Sequence, residues 1–199
     1  MNRIGIIGGS FNPIHYGHLF AAEEARVTFN LDLVFFVPTG VPVWEKEEPL
    51  LQGETRLRMV LLGTQDNPFF RVSREEIDRS GKSFTVLTLQ SFHHLFPDSL
   101  LFFITGMDAL FQFHKWREPE KILELAELIA VSRPGYSLDQ FSGPPLNPKI
   151  HLLKTVGVAV SSREIRERVR KGLPIKYLLP PPVEAFIHEN KLYREEVSK

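Results

Sequence analysis

Cysteine is absent from this chain of 199 residues. Disulfide bonds, thiolate catalysis and cysteine zinc sites are therefore excluded. Neither sign of charge is in excess, because 24 Lys and Arg balance 24 Asp and Glu. Without a net field, we expect no nucleic-acid polymer or anionic membrane as a partner. An anionic ligand would have to be bound by charges at one place on the surface.

Long apolar runs are also missing. None approaches the roughly 20 residues that cross a bilayer, and the start of the chain lacks the pattern of a secretory signal. The composition, with 43% hydrophobic and 24% charged residues, is typical of a globular protein. We therefore expect a cytoplasmic protein with one domain, residues 1–199, in which residues 161–199 form a C-terminal helical part.

Short apolar runs alternate with segments of helical periodicity along the chain. The predicted strands are residues 4–7, 33–37, 69–72, 100–105, 128–131, and one or two strands within 150–153 and 156–160. The predicted helices are residues 19–29, 54–65, 85–96, 119–125, 161–171 and 182–190. Because most of the strands are continuously apolar, they predict an α/β fold with a parallel sheet covered on both faces.

Glycine and polar residues concentrate where the predicted strands end. These exits are residues 8–18, 38–40, 106–108, Arg133 and 161–166. In open parallel sheets, ligands bind outside the carboxyl ends of the strands. The exits are therefore the predicted site.

The first exit joins a strand to a helix through a glycine-rich turn that contains His15 and His18. It is neither the dinucleotide GxGxxG fingerprint nor a Walker loop. Backbone N–H groups at a helix N-terminus favour an anion, and the spacing places both imidazoles on one side of the first turn. A metal pair and simple helix capping are the alternatives; the flanking Gly8, Gly9 and Gly17 favour phosphate.

Residues 8–18, GGSFNPIHYGH, closely resemble the GG(S/T)F(D/N)P-x-HxGH signature of the nucleotidyltransferase superfamily. The resemblance implies a Rossmann-like doubly wound sheet in which this turn holds the triphosphate of ATP. It implies that His18 and His15 are the catalytic residues, with His18 stabilising the α-phosphate. The turn residues that it assigns to ATP binding are Gly8, Gly9, Ser10, Phe11, His15 and His18.

A second motif, VSSREIR at residues 160–166, resembles the (I/V)SS-T-x-I-R motif of the same superfamily, with Arg163 in place of Thr. Ser161 and Glu164 also form the pattern of a helix capping box. The two interpretations are compatible. A capped N-terminus with Ser162 and Arg166 beside it suits the β- and γ-phosphates, so Ser161, Ser162 and Arg166 are further predicted ATP-binding residues.

Three more segments resemble the bacterial nicotinate-nucleotide adenylyltransferases, and the resemblance is close to full length. They are FITGMDAL at residues 103–110 followed by Trp116, VSRPGY at 131–136, and SFTVLTL at 83–89, where Phe84 replaces the usual Tyr. The resemblance implies that Gly106, Asp108 and Arg133 bind ATP. It also implies that the mononucleotide is bound by Ser10, Phe84, Thr85, Trp116 and Arg117.

Two of these residues also have simpler interpretations. Asp108 alone is most often a helix N-cap, and Trp116 alone is most often a packing residue. The loop at residues 41–53 departs from the family pattern PPHK, because it reads Pro42-Val43-Trp44-Glu45-Lys46. Trp44 and Glu45 cannot replace the basic residue and histidine, although Lys46 lies one residue further along. No catalytic role is therefore expected for this loop.

The implied reaction is transfer of AMP from ATP to the 5′-phosphate of nicotinate mononucleotide, which gives deamido-NAD and pyrophosphate. Mg²⁺ would accompany ATP, held mostly by phosphates and water, and no protein ligands for a metal are evident. Nicotinamide mononucleotide as acceptor, a non-catalytic nucleotide sensor and a metal-dependent hydrolase are the alternatives. Phosphopantetheine is a further acceptor, disfavoured by Trp116 and residues 133–136. Association of the chain with copies of itself stays open.

Overall fold

A computed structural model describes residues 2–44, 49–132, 147–155 and 159–194. Within these residues, six parallel strands form one sheet in the order β3-β2-β1-β4-β5-β6. The strands are β1 (Arg3–Gly9), β2 (Leu33–Pro38), β3 (Phe70–Val72), β4 (Leu100–Gly106), β5 (Glu127–Ser132) and β6 (Ile150–Lys154). This is the strand order of a doubly wound sheet, so the predicted fold class is confirmed.

The α-helices in the described residues connect the strands or follow them. They are α1 (Tyr16–Thr28), α2 (Gly53–Thr64), α3 (Glu75–Asp78), α4 (Thr85–Leu95), α5 (Met107–Leu110), α6 (Pro119–Leu125), α7 (Ser162–Arg170) and α8 (Pro181–Glu189). A short 3₁₀ helix, Phe113–Lys115, follows α5. None of the helices in the described parts of the chain is long and apolar enough to span a membrane.

The two faces of the sheet pack against different helices, because successive side chains of a strand point to opposite faces. In β4, Phe102 and Ile104 join a core built with α1, α2, α7 and α8. Leu101 and Phe103 join a second core built with α4, α5 and α6. The helical part predicted for residues 161–199 therefore contributes α7 and α8 to the first core, beside α1 and α2.

Two segments differ from the predicted elements. Residues 156–158 of the second C-terminal strand prediction lie outside the described residues, and Ala159 and Val160 are not in a strand. The charged segment before residue 80 holds the one-turn helix α3, with Glu75, Glu76 and Asp78 in its first turn. Acidic side chains at a helix N-terminus complement its dipole, which accounts for a helix in so polar a segment.

The register of the sheet brings the predicted exits together. Gly9 at the end of β1 lies beside Pro38 of β2, and Ile7 lies beside Ile104 of β4. Strand order reverses between β1 and β4, since β2 and β3 lie on one side of β1 and β5 and β6 lie beyond β4. A crevice is expected at that reversal, and the site is built around it.

Candidate active site

The turn between β1 and α1, called the donor turn below (residues 8–18), holds both predicted catalytic histidines. His15 is the N-cap residue of α1 and is buried, while His18 lies in the first helical turn and is partly exposed. Their rings are stacked with centroids 3.7 Å apart. The backbone N–H of His15 donates to His18 Nδ1 over 3.3 Å. A neutral His18 ring therefore carries its proton on Nε2.

Two neighbours fix the position of the imidazole pair. Phe11 has a left-handed backbone (φ 45°) and its buried ring meets His18 edge-on at 5.0 Å. A Cβ atom at Gly17 would lie 3.0 Å from the His15 ring, so a larger residue there would push against that ring. The left-handed conformation at Phe11 is unfavourable for a bulky residue, so the burial of its ring must hold it. The Phe11 side chain therefore packs against the His18 ring and helps to hold it in place.

The N-terminus of α7 lies directly against the donor turn. Ser161 caps this helix, since its Oγ accepts the backbone N–H of Glu164 over 3.1 Å. Ser162 Oγ donates to the carbonyl of Pro13 over 2.8 Å, and Arg166 Nη1 donates to the carbonyl of Asn12 over 2.8 Å. The capping pattern and the proximity to the turn, both predicted for this motif, are present together.

Tyr193 was not predicted as part of the site. Its hydroxyl donates to the side-chain oxygen of Asn12 over 2.9 Å, and Asn12 is only 2% exposed. Burial raises the pKa of Tyr193, so the hydroxyl stays a neutral donor at any ordinary pH. Residues near both ends of the chain therefore meet at Asn12.

The exit of β4 carries Gly106 and Asp108. Gly106 occupies the N-cap position of α5, and the exposed Asp108 lies in the first turn of that helix. A Cβ atom at Gly106 would overlap a carboxylate oxygen of Asp108, so the Asp108 side chain lies directly against the Gly106 backbone. The simpler interpretation of Asp108 as a helix N-cap is wrong, because Gly106 holds that position.

A cavity of about 720 Å³ opens beside these exits and is called the acceptor cavity below. All five residues predicted for the mononucleotide, and Asp108, line it. Its lining is Ser10, Thr39, Pro42, Val43, Trp44, Ser83, Phe84, Thr85, Asp108, Ala109, Gln112, Lys115, Trp116, Arg117 and Ile122. Thr85 is the first residue of α4, so the positive end of that helix lies at the cavity.

The aromatic wall of the cavity is a packed unit. Trp116 is half-buried and meets Phe103 and Phe113 edge-on, with centroids 5.9 Å and 5.4 Å away. Arg117 places its guanidinium 4.8 Å from the centre of the Phe84 ring, a cation–π arrangement. Trp116 is thus both a packing residue and part of the cavity surface.

The loop after β2 reaches the same cavity. Trp44 lines it and remains 56% exposed, although the sequence assigned this residue no role. Lys46 and Glu45 lie outside the described residues, as does Arg133. The predicted role of Arg133 in ATP binding therefore remains a prediction.

Arg56 of α2 is the second residue that sequence reasoning missed. It is 1% exposed, and its guanidinium donates to four backbone carbonyls: Nε to Leu51 (2.8 Å), Nη1 to Ser10 (2.9 Å), and Nη2 to Thr39 (2.6 Å) and Gly40 (3.4 Å). Burial lowers the pKa of Arg56, yet an arginine stays charged. Among the residues that the structure describes, no ion pair involves Arg56.

A buried carboxylate supports the segment that leads into α4. Glu76 is 6% exposed, and its Oε1 accepts the hydroxyl of Thr88 over 2.6 Å. Arg79 Nη2 donates to the same hydroxyl over 3.2 Å. Burial raises the pKa of Glu76, and hydrogen bonds from Thr88 and Ser83 oppose that rise. The backbone of Glu76 also packs on Gly40, where a Cβ atom would overlap the Glu76 carbonyl.

Metal binding was the first alternative for the two histidines. In the described parts of the chain, no group of three or more His, Asp or Glu side chains is placed to hold a metal ion. The two stacked imidazoles of His15 and His18 are therefore not part of such a group.

The chain matches known proteins over nearly its whole length. The model of the cytidylyltransferase-like family matches residues 6–168. A probable nicotinate-nucleotide adenylyltransferase from Moorella thermoacetica is 46% identical, over 96% of this chain and 92% of that protein. One from Desulfitobacterium hafniense is also 46% identical, over 96% of each chain.

Solved structures share the fold. The nicotinic acid mononucleotide adenylyltransferase of Plasmodium falciparum complexed with NaAD superposes with a TM-score of 0.77 at 20% identity, covering 97% of this chain and 98% of that one. The same enzyme complexed with APC gives a TM-score of 0.76 over the same shares of the two chains.

Proposed function

The chain belongs to the cytidylyltransferase-like family and, within it, to the nicotinate-nucleotide adenylyltransferases, and we propose which of its residues bind the two substrates and assist the transfer of AMP. The enzyme transfers AMP from ATP to the 5′-phosphate of nicotinate mononucleotide and releases pyrophosphate. The donor turn and the N-terminus of α7 bind ATP, and the acceptor cavity binds the mononucleotide. Small molecules are thus its substrates.

One observation carries this assignment of sites: the donor turn and the acceptor cavity share Ser10. Ser10 belongs to the turn that holds His15 and His18, and it also lines the cavity that contains Thr85 and Trp116. A nucleotide held by the turn and a mononucleotide held in the cavity would therefore meet near Ser10. Transfer between two bound substrates requires such a common boundary.

The reaction needs little side-chain chemistry. The acceptor phosphate is already an anionic nucleophile, so its oxygen attacks the α-phosphorus of ATP directly. The bond to the bridging oxygen breaks, and pyrophosphate leaves with the electron pair. No side chain has to become a nucleophile, and positioning with charge stabilisation provides the catalysis.

His18 is assigned the main electrostatic role. Its Nδ1 accepts the His15 backbone N–H, so Nε2–H is the donor directed to the α-phosphate oxygens. A preorganised donor of this kind stabilises charge that develops in the transition state. His15, stacked on His18, holds the ring in that orientation.

The divalent cation belongs with the ATP substrate. Phosphate oxygens and water would hold it. When bound, such a cation neutralises phosphate charge during the transfer. On the protein, Ser162 and Arg166 are assigned to the β- and γ-phosphates.

The nature of the cavity favours the acid form of the mononucleotide. Thr85 begins α4, an 11-residue helix whose N-terminus is at the cavity. Backbone N–H groups at a helix N-terminus attract a carboxylate more than a neutral amide. Trp116 offers an aromatic surface for the pyridine ring.

Pyrophosphate release with MgATP tests the proposal. Nicotinate mononucleotide, its amide and phosphopantetheine are compared as acceptors, with ATP alone as the control. We expect the highest kcat/KM with nicotinate mononucleotide. Equal rates with all three acceptors would contradict the assigned cavity, and EDTA-sensitive hydrolysis without acceptor would indicate a hydrolase instead.

A further inference from the structure

Arg56 connects the ends of two neighbouring strands. Its Nη1 donates to the carbonyl of Ser10, just after β1, and its Nη2 donates to the carbonyl of Thr39, just after β2. Ser10 and Thr39 both line the acceptor cavity, whereas Arg56 itself does not. The planar guanidinium is the only side chain type whose donors span two such carbonyls in one fixed fork. Arg56 therefore sets the spacing of two residues that surround the acceptor.

We propose that Arg56 is a positioning residue for the mononucleotide: it holds Ser10 and Thr39 at the distance that the acceptor cavity requires. This inference rests on the proposed function, because it assigns the cavity to the mononucleotide. The buried guanidinium lies one hydrogen bond away from the cavity surface. It acts on the substrate through backbone carbonyls and does not touch the substrate.

The hydrogen bonds that start at Arg56 continue through Gly40 to the other side of the acceptor cavity. The Gly40 carbonyl accepts a hydrogen bond from Arg56, and the Gly40 N–H donates to Ser83 Oγ over 3.0 Å. The N–H of Ser83 in turn donates to the carbonyl of Val41 over 2.8 Å. Ser83 precedes Phe84 and Thr85, which also line the cavity. A displacement at Arg56 is thus transmitted to both sides of the acceptor cavity.

Arg56 reaches the donor turn at Ser10, the residue that the turn shares with the acceptor cavity, and the part of the turn that leads to the histidines has further supports. Ser162, Arg166 and Tyr193 bind it at Asn12 and Pro13, and none of these contacts passes through Arg56. Loss of the Arg56 fork should therefore disturb the acceptor more than ATP. A residue that merely stabilised the fold would disturb both substrates alike.

The test compares Arg56→Lys with Arg58→Lys, an exposed arginine on the same helix. Lysine keeps the charge but loses the fork, so KM for nicotinate mononucleotide should rise about tenfold, with KM for ATP changed less than about twofold. Arg58→Lys should leave both constants unchanged. Assays are run well below the melting temperature of each variant, with circular dichroism to establish folding.

The outcomes separate this inference from the proposed function. If the natural protein releases no pyrophosphate with any acceptor, the proposed function fails. If it is active, and Arg56→Lys changes both KM values equally, changes only kcat, or changes nothing, the positioning role is overturned.

A second measurement applies if Arg56→Lys does not fold. In the natural protein labelled with ¹⁵N-arginine, the Nε–H signal of Arg56 should shift when nicotinate mononucleotide is added. An ATP analogue alone should leave it in place. A signal that responds equally to both ligands, or to neither, overturns the inference.

Discussion

The donor turn and the acceptor cavity are stabilised by different kinds of contact. Short hydrogen bonds from Ser162, Arg166 and Tyr193 hold the donor turn at Asn12 and Pro13. The acceptor cavity is wide and partly aromatic, and the segments around it contain the buried ionisable side chains of Arg56 and Glu76. Apart from the Arg56 bond to Ser10, the contacts of the turn join it to residues distant in the sequence, whereas the cavity is stabilised by the segments that immediately surround it.

We therefore expect the donor turn to determine the reaction and the acceptor cavity to determine which acceptor is used. The donor turn presents backbone N–H groups and the partly exposed His18 imidazole, which suit any nucleoside triphosphate. The acceptor cavity presents Trp116, Phe84 and the N-terminus of α4, which suit a ring with a carboxylate. Variants of the two regions should therefore change different kinetic constants.

The largest expected effect is that of His18→Ala in the donor turn. Removal of one preorganised donor typically lowers kcat by about 10² or more, and the fold should persist because His18 is partly exposed. Steady-state pyrophosphate release gives kcat, and thermal melting reports the fold. His93→Ala, an exposed histidine of α4, is the matched control. Normal turnover in a folded His18→Ala protein would remove the catalytic assignment of the turn.

A smaller effect is expected for Trp116→Ala in the acceptor cavity. Loss of aromatic stacking should raise KM for nicotinate mononucleotide about tenfold, with little change in kcat or in KM for ATP. Tyr177→Ala removes an aromatic side chain that is 79% exposed and serves as the control. A change confined to KM for ATP would mean that the mononucleotide binds elsewhere, and it would contradict the assignment of the two regions to different substrates.

Tyr193→Phe should affect the donor turn. The buried side-chain oxygen of Asn12 loses its donor, which should destabilise the fold by about 1–3 kcal/mol. The loosened turn should raise KM for ATP about threefold and leave KM for the mononucleotide unchanged. Chemical denaturation and two-substrate kinetics measure both effects, with Tyr177→Phe as the control. A rise in both KM values would show that the two regions share this support, and a rise in the mononucleotide KM alone would contradict the assignment of Tyr193 to the donor turn.

The smallest effect should appear with Glu76→Gln, as a change in the pH dependence of stability. Because burial raises the pKa of Glu76 in the folded protein above its usual 4.5, folding binds a proton in the window above pH 4.5. The stability that this group contributes is complete below that pH and is lost as pH rises through the folded pKa. In the variant this loss should disappear.

Melting temperatures from pH 4 upward measure the Glu76 effect. The variant and the natural protein should be equally stable at the acid end, and the variant should become relatively more stable as pH rises. Glu120→Gln, an exposed residue of α6, should follow the natural protein throughout. A constant difference at every pH would mean that Glu76 does not titrate in this window.

The fold was largely predictable because its signals are local. Apolar runs such as residues 100–105 predict buried strands, and β4 extends from Leu100 to Gly106. Alternation of strands and helices then predicts a parallel sheet, and its carboxyl edge predicts where polar exits meet. The short helix α3 was not predicted, since its four residues are too few for periodicity.

The braces of the site were less predictable because they depend on distant partners. Arg56 recurs with Val60 and Gly63 on the buried face of α2, so an arginine at an apolar helical position was the available signal. Tyr193 and Asn12 are separated by 181 residues, and no local pattern relates them. Trp116 became a predicted site residue only through the family resemblance, since its spacing alone indicates packing.

The contacts of Tyr193 also bear on the order in which the protein is made. A ribosome adds about 5–20 residues per second, so the 181 residues between Asn12 and Tyr193 take roughly 10 to 35 s to synthesise. During that time the histidines already exist in the nascent chain, while Ser162, Arg166 and Tyr193 arrive in that sequence. The donor turn is thus synthesised well before the residues that complete its hydrogen bonds. A translation product that stops before Tyr193 would carry both histidines on a turn that lacks its final hydrogen bond.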